Sequence, residues 1–212
     1  MTHDPRILTW RSRPYSWSQH SSFLFSPEQW HDKYILGIEQ PDSPELIFGK
    51  TFADSCEART PLAPVTLLSK VEHPFEALLD GIPLVGYADT LDDTTMRHTG
   101  EYKTGVKPWD KKRVDAHGQI TLYCLMNYLT NKVRPEETRL FLEWVPTKRV
   151  PKHNGDMMGF DYDIEFASEP PEVLHFETER TLVQTLEFAL EIKRTRAAME
   201  SYAQTRLASV PA

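Results

Sequence analysis

Polar and apolar residues alternate along the middle of the chain with the two-residue period of β-strands. From Val71 onward, the segments VEHPFEALL and PLVGYADTL show this alternation on either side of Asp80-Gly81, a dipeptide that favours a tight turn. A third strand is predicted through Glu101 to Thr104. The pattern therefore predicts three consecutive strands, of which the first two form a β-hairpin.

Apolar residues at helical spacing predict helices on both sides of these strands. Before them, Ser26 is a suitable N-cap with Pro27 at the first helical position, and another helix is predicted from Phe48 to Arg59. The segment that leads to Ser26 opens, at YSWSQHSS, with Ser and Trp residues typical of a turn. After the strands, helices are predicted from Val114 to Leu129 and from about Thr181 to Leu207.

The remaining segments complete the predicted architecture. TRLFLEWVP is predicted to be a strand, and FDYDIEFAS and VLHFETE are two further strand candidates. This order of elements predicts an α/β fold, a mixed central sheet flanked by helices. No repeat or linker divides the sequence, so we expect one domain over residues 1–212, with a core at about 45–207 and an N-terminal helical segment at 15–40.

Composition and charge restrict the class of protein. Hydrophobic residues make up 40% of the 212 residues, which is enough for a real core, and the net charge of -7 argues against coating nucleic acid by bulk charge. Cys56 and Cys124 are too few for a disulfide framework and lack the spacing of a zinc site. No apolar run is long enough to span a bilayer. We expect a cytoplasmic protein with no membrane partner.

Two acids and a lysine form the first candidate site. Glu101 and Lys103 lie two apart on a predicted strand and share a face, although such a triplet alone also occurs by chance on exposed strand edges. Asp89 ends the preceding strand 12 residues upstream, where an antiparallel pairing can bring it beside Glu101. Oxygen ligands of this kind suit Mg²⁺ or Mn²⁺, and the lysine offers positive charge to a phosphate or an attacking water.

Polar and basic residues after the third strand extend this site. Gln119 and Tyr123 lie four apart on the next predicted helix, share a face, and can donate to a phosphate or hold a water. The segment 103–113 carries five basic residues against one acid. It is either a solvated loop or a contact to the DNA backbone, in which Trp109 would stack on a base beside three lysines, Lys107, Lys111 and Lys112.

Three motifs together resemble the PD-(D/E)XK nuclease superfamily, in particular RecB-type nuclease domains and phage-type exonucleases. GYAD at 86–89, GEYKTG at 100–105 and QITLY at 119–123 match the family motifs G-x-x-D, (D/E)-x-K-T and Q-x-x-x-Y in order and spacing. The resemblance also covers the N-terminal helical segment and the final helix. It implies a restriction-endonuclease-like core.

The resemblance also implies roles for individual residues. Asp89 and Glu101 would bind Mg²⁺ or Mn²⁺ together with the backbone carbonyl of Tyr102, and Lys103 would orient the nucleophilic water or stabilise the pentacovalent phosphorane. Where the family often has a metal-binding histidine this sequence has Ala53, and Glu57, one turn later, is an alternative metal ligand or an ordinary solvated acid. The cysteine cluster of several relatives is absent, so no iron–sulfur centre is expected.

These observations lead to a functional hypothesis with open alternatives. We expect a metal-dependent deoxyribonuclease that hydrolyses DNA phosphodiester bonds, an exonuclease acting on linear ends or single strands in DNA repair, recombination or phage DNA processing. The alternatives are a catalytically idle DNA-binding module and an RNA-processing nuclease. No helicase or ATPase segment is apparent, so a helicase or recombinase partner would supply unwinding. The sequence does not determine the oligomeric state.

Overall fold

A computed structural model describes residues 5–152 and 162–208, in which groups of helices and groups of strands follow one another along the chain. The π-helical turn Asp32–Leu36 continues the third helix, and a 3₁₀ turn, Pro135–Glu137, precedes the fourth strand. The elements in chain order are α1 (Pro5–Arg11), α2 (Trp17–Phe25), α3 (Pro27–His31), α4 (Pro44–Glu57), β1 (Lys70–Leu79), β2 (Ile82–Leu91), β3 (His98–Gly105), α5 (Lys111–Asp115), α6 (Gly118–Asn131), β4 (Arg139–Pro151), β5 (Tyr162–Phe166), β6 (Leu174–Thr178) and α7 (Leu182–Ala208).

The strands within the described residues form one mixed six-stranded sheet. β1, β2 and β3 are consecutive antiparallel neighbours, whereas β3 pairs with β4 in parallel from His98–Arg139 to Gly105–Pro146. β6 pairs with the first half of β4 and β5 with the second half, both antiparallel. The parallel pair needs a crossover, and α5 and α6 provide it. The predicted α/β fold with a mixed sheet is confirmed.

Helices cover both faces of this sheet. On one face α6 packs with the strands and α7, and the buried residues there include Leu84, Leu122 and Ile192. On the other face α4 contributes Phe52 and Cys56 to a smaller cluster under β3 and β4. Because β3 lies between these two layers, its alternate side chains point toward α6 and toward α4.

The N-terminal helices belong to the larger core. Trp10 and Trp30 are fully buried and meet edge to face with ring centroids 5.3 Å apart. Tyr15 is equally buried, and its backbone pairs with Leu84 beside the hairpin. The N-terminal segment thus closes the α6 face of the sheet.

Local sequence signals placed several helices correctly but missed others. Ser26 caps α3, as predicted, and accepts a hydrogen bond from Gln29 N at 3.2 Å. The Ser and Trp residues that open YSWSQHSS are typical of a turn, but α2 begins there at Trp17 with Ser16 as N-cap, within the helical segment expected at 15–40. Tertiary contacts explain the difference, since Trp17 packs against Phe188 of α7. None of the helices in the described ranges is both long and apolar enough to cross a membrane.

The helix predicted from Val114 to Leu129 is interrupted. α5 ends at Asp115 and α6 begins at Gly118, so two short helices replace one. The buried guanidinium of Arg180 donates to the carbonyls of Val114 and His117 at 3.1 and 3.2 Å and so satisfies backbone groups at the break. A contact from a residue 66 positions away in sequence therefore determines where α6 starts.

Candidate active site

The candidate site lies where β2 and β3 separate. The two strands pair at only two positions, Leu91 with Thr99 and Thr90 with Gly100. Asp89 and Glu101 are the next residues beyond the last pair. The strands diverge there, and the backbone N–H of Tyr102 donates to Asp89 Oδ2 instead of to the main chain of β2.

Glu101 and Lys103 form the buried centre of the site. Both point toward α6; Glu101 is only 2% exposed, and the Lys103 side chain is 28% exposed. Lys103 Nζ donates to Glu101 Oε1 and, at 2.9 Å, to Gln119 Oε1. The ammonium group is therefore held between a carboxylate and an amide while part of it faces solvent.

Gln119 and Tyr123 connect α6 to this centre. The Tyr123 hydroxyl lies 2.7 Å from Glu101 Oε2 and also contacts the Tyr87 carbonyl, while Gln119 Nε2 donates to that hydroxyl at 2.7 Å. One face of α6 thus holds both charged side chains of β3. Sequence reasoning predicted contacts to phosphate or water for this pair, whereas in the structure Gln119 and Tyr123 form hydrogen bonds to Lys103, Glu101, Tyr87 and each other.

Burial and mutual repulsion shape the electrostatics of the site. Burial raises the pKa of Asp89 well above its usual value, and the charge of Glu101 raises it further, against the opposing effects of Lys103 and the Tyr102 N–H. Burial would lower the pKa of Lys103, but the charges of Glu101 and Asp89 outweigh it and the pKa lies above the ordinary value. The site concentrates negative charge that a cation would relieve.

The Tyr102 backbone also faces the space between the strands. Its side chain is buried on the α4 side, where the hydroxyl donates to the Thr66 carbonyl at 2.5 Å. The N–H and C=O of one strand residue point to the same side of the strand. Because the Tyr102 N–H donates to Asp89, its carbonyl is also directed toward β2.

Glu57 lies at the edge of the site. It is the last residue of α4 and is exposed. Its charge acts on Glu72 of β1: burial raises the pKa of Glu72, and the charges of Glu101, Glu57 and Asp54 raise it further. Sequence reasoning missed Glu72. The hairpin register was a signal that could have found it. When residues are counted outward from the Asp80-Gly81 turn, Glu72 falls opposite Asp89.

The predicted DNA-binding residues lie between β3 and α6. Arg113 packs over the Trp109 ring at 3.7 Å from its centroid, and His117 meets the same ring at an angle, so part of the aromatic surface is already covered. Lys111 forms an ion pair with Asp115. Lys107 and Lys112 are exposed, and neither forms an ion pair within the described parts of the chain.

The donor atoms of the site suit a divalent cation by their chemistry. Within residues 5–152 and 162–208, no three histidine, cysteine, aspartate or glutamate side chains are grouped so that they could hold a metal ion. The chemistry of the donors nevertheless fits a hard cation, since Asp89, Glu101 and the Tyr102 carbonyl all offer oxygen. Asp89 Oδ1 accepts no hydrogen bond from the described residues.

Comparison with known proteins supports the fold. The sequence matches no protein-family model and no curated protein. The structure is similar to a crystal structure from Eubacterium rectale described as a "putative exonuclease", with a TM-score of 0.57 over 97% of this chain and 88% of that chain. The two sequences are 11% identical, so the similarity establishes the fold and not the activity. The two proteins share an α/β fold.

Proposed function

We propose that the protein is a Mg²⁺- or Mn²⁺-dependent nuclease that hydrolyses DNA phosphodiester bonds, acting as an exonuclease. The observation that carries this proposal is the meeting of Asp89, Glu101 and Lys103 at the point where β2 and β3 diverge. The exonuclease-like fold supports it, because it comes from a comparison independent of the three sequence motifs.

Three oxygen-bearing groups would hold the cation: the carboxylates of Asp89 and Glu101 and the carbonyl of Tyr102. A bound divalent cation supplies positive charge that neutralises the phosphate and acidifies the attacking water. Repulsion between Asp89 and Glu101 favours binding, because the cation removes the cost of two close carboxylates.

Lys103 and its neighbours would position the substrate. Its raised pKa keeps the amine protonated at neutral pH, so it can donate hydrogen bonds to a phosphate oxygen or hold the attacking water. Gln119 limits the movement of the ammonium group, and Tyr123 orients Glu101. Preorganised donors of this kind stabilise charge that develops in the transition state.

Cleavage of end-labelled DNA tests the proposal. Linear and circular, single- and double-stranded DNA and a matched RNA are incubated with Mn²⁺ or with EDTA. We expect cleavage of linear DNA with Mn²⁺ only, and a loss of about a hundredfold or more in rate for Lys103→Ala. Lys33→Ala, an exposed lysine in the turn after α3, is the matched control and should retain full activity.

The substrate panel also separates the alternatives. Equal cleavage in Mn²⁺ and EDTA, or wild-type rates from Lys103→Ala, would refute the metal-dependent mechanism. DNA binding without cleavage would indicate a catalytically idle module. Cleavage of RNA alone would indicate an RNA-processing nuclease, and rapid cutting of circular DNA an endonuclease.

A further inference from the structure

Three apolar side chains form an exposed row on the outer face of α7. Val183, Leu186 and Leu190 are spaced as i, i+3 and i+7, so they share one face of the helix, and they are 65%, 47% and 50% exposed. The opposite face of α7 packs into the core through Phe188 and Ile192. A contiguous row of large exposed apolar side chains indicates an interaction surface, and we call this row the α7 stripe.

Leu24 of α2 extends the apolar surface on one side of the α7 stripe. It is 60% exposed and borders the shallow groove between α2 and α7, which Glu187 and Phe188 also line. Leu24 therefore lies on the same side of α7 as Glu187. The apolar surface thus continues from α7 onto α2, past the carboxylate of Glu187.

Two charged side chains of α7 have no partner in the described part of the chain. Glu187 and Arg194 are exposed, and neither forms a hydrogen bond or an ion pair with a described residue. The other charged residues of α7 are paired: Glu191 with His20, Lys193 with Asp80, Glu200 with Arg11, Arg206 with Glu28, and Arg196 with the carbonyls of Trp10 and Arg11. The two unpaired charges are of opposite sign.

Glu187 and Arg194 lie along the same flank of the α7 stripe. They are seven residues apart in the sequence, about two turns of the helix, so their side chains project in nearly the same direction. Glu187 directly follows Leu186, and Arg194 is one turn beyond Leu190. Charged residues that border an apolar seam in this way form ion pairs between neighbouring helices.

We propose that the α7 stripe is the contact between two copies of this chain, whose α7 helices lie antiparallel about a two-fold axis. Such an axis reverses the helix direction but keeps the flank, so Glu187 of each copy faces Arg194 of the other, and the ion pair occurs twice. In a parallel pair the charged flanks would lie on opposite sides of the interface, and neither charge would meet the other. Charge complementarity therefore favours a second copy in the antiparallel orientation.

The size of the α7 stripe indicates weak association. A stable dimer buries about 800 Å² on each partner, which is more than a few side chains of one helix face provide. Exposed ion pairs are individually weak and are screened by salt. We therefore expect a monomer–dimer equilibrium with a dissociation constant of about 10–100 μM.

Sedimentation velocity of the full chain over a range from about 5 to 500 μM tests this equilibrium. The sedimentation coefficient of the wild type should rise with concentration. Leu186→Gln/Leu190→Gln should weaken dimerisation by about tenfold or more, because it removes the apolar contact from positions that the core does not need. Leu46→Gln/Ile47→Gln is the matched control, since these α4 side chains are 49% and 45% exposed, and it should dimerise like the wild type. Circular dichroism checks that each variant is folded.

Charge reversal tests the antiparallel arrangement. Glu187→Arg and Arg194→Glu each place like charges opposite one another and should weaken dimerisation by about threefold or more at low salt. The double variant Glu187→Arg/Arg194→Glu restores opposite charges at both ion pairs and should recover the wild-type affinity.

The possible outcomes are distinct. A wild type that stays monomeric at the highest concentration would overturn the inference and leave the α7 stripe to a different partner. The inference also fails if the α4 control weakens association as much as the α7 variant, or if the double charge variant associates no better than the single ones. Neither DNA nor a divalent cation is added, so these results do not depend on the proposed nuclease function.

Discussion

Neutral polar side chains hold the charged residues of the candidate site in place. Tyr123 contacts Glu101, and Gln119 contacts both Lys103 and Tyr123, so one helix face orients the acid and the base of β3. Burial raises the pKa of the Tyr123 hydroxyl, and the charges of Glu101 and Asp89 raise it further, which keeps the hydroxyl protonated. Its proton is therefore available for donation to Glu101.

His117, directly before α6, should make stability depend on pH. Burial, together with the charges of Lys103, Arg113 and Arg180, lowers the pKa of its imidazole to about 3. Below pH 6.5 the unfolded chain binds a proton that the folded protein does not, so stability falls as the pH drops from about 6.5 toward 3. The loss from this residue should reach about 2 kcal/mol at pH 5.

Urea unfolding of the wild type and His117→Phe at pH 7 and pH 5 measures this contribution. Phenylalanine keeps a ring between Trp17 and Trp109 and removes the titrating nitrogen atoms, including Nε2, which is buried without a described partner. The variant should therefore lose less stability on acidification than the wild type. An identical loss in both proteins would show that His117 titrates normally.

At the scale of elements, close packing of β3 against β4 determines where Glu101 lies. A Cβ added at Gly100 would approach the Phe141 ring to 2.2 Å, so β3 can lie in this register only with glycine at that position. Phe141 is itself fully buried in the α4-side cluster and has little room to move. The glycine before Glu101 thus has a packing role.

Gly100→Ala should destabilise the protein and misplace Glu101. The added methyl group forces Phe141 or the strand to shift, at a cost of about 1–3 kcal/mol, and DNA cleavage should fall with it. Gly105→Ala is the control in the same strand, because a Cβ there meets nothing within 4 Å. Urea unfolding and cleavage rates should separate the two variants, and equal stability would contradict the packing argument.

At the scale of the whole molecule, an acidic protein must bind an acidic substrate through a local basic surface. The net charge is -7, and Asp89 and Glu101 repel each other at the site, so attraction to the proposed DNA substrate would have to come from the proposed cation and from the segment after β3. Two lysines of that segment, Lys107 and Lys112, are exposed and have no ion pair in the described part of the chain.

The double variant Lys107→Ala/Lys112→Ala should bind DNA more weakly, and its DNA affinity should depend less steeply on salt concentration. Each phosphate contact releases about one counterion, so the slope of log K against log salt should fall by about 1.5 to 2. Fluorescence anisotropy with Ca²⁺ in place of Mg²⁺ measures binding. Lys33→Ala/Lys193→Ala changes the net charge equally at distant exposed positions and should leave the slope unchanged.

Much of the architecture was predictable because its signals are local. The Asp80-Gly81 turn and the alternating strands predicted the hairpin, which the structure confirms as β1 and β2. The Ser26 cap likewise predicted α3. The interruption between α5 and α6 was not predictable from periodicity, because it depends on Arg180, far along the chain.

The sequence by itself determined the fold class and singled out Asp89, Glu101 and Lys103, since strand period, turn chemistry and motif spacing are properties of short segments. Only the tertiary structure decided how those residues meet. The divergence of β2 from β3, the contacts of α6 with Glu101 and Lys103, and the position of Glu72 opposite Asp89 all depend on pairing between distant segments. Strand register and packing determine these contacts, and both are relations between elements that the sequence of one strand or helix does not contain.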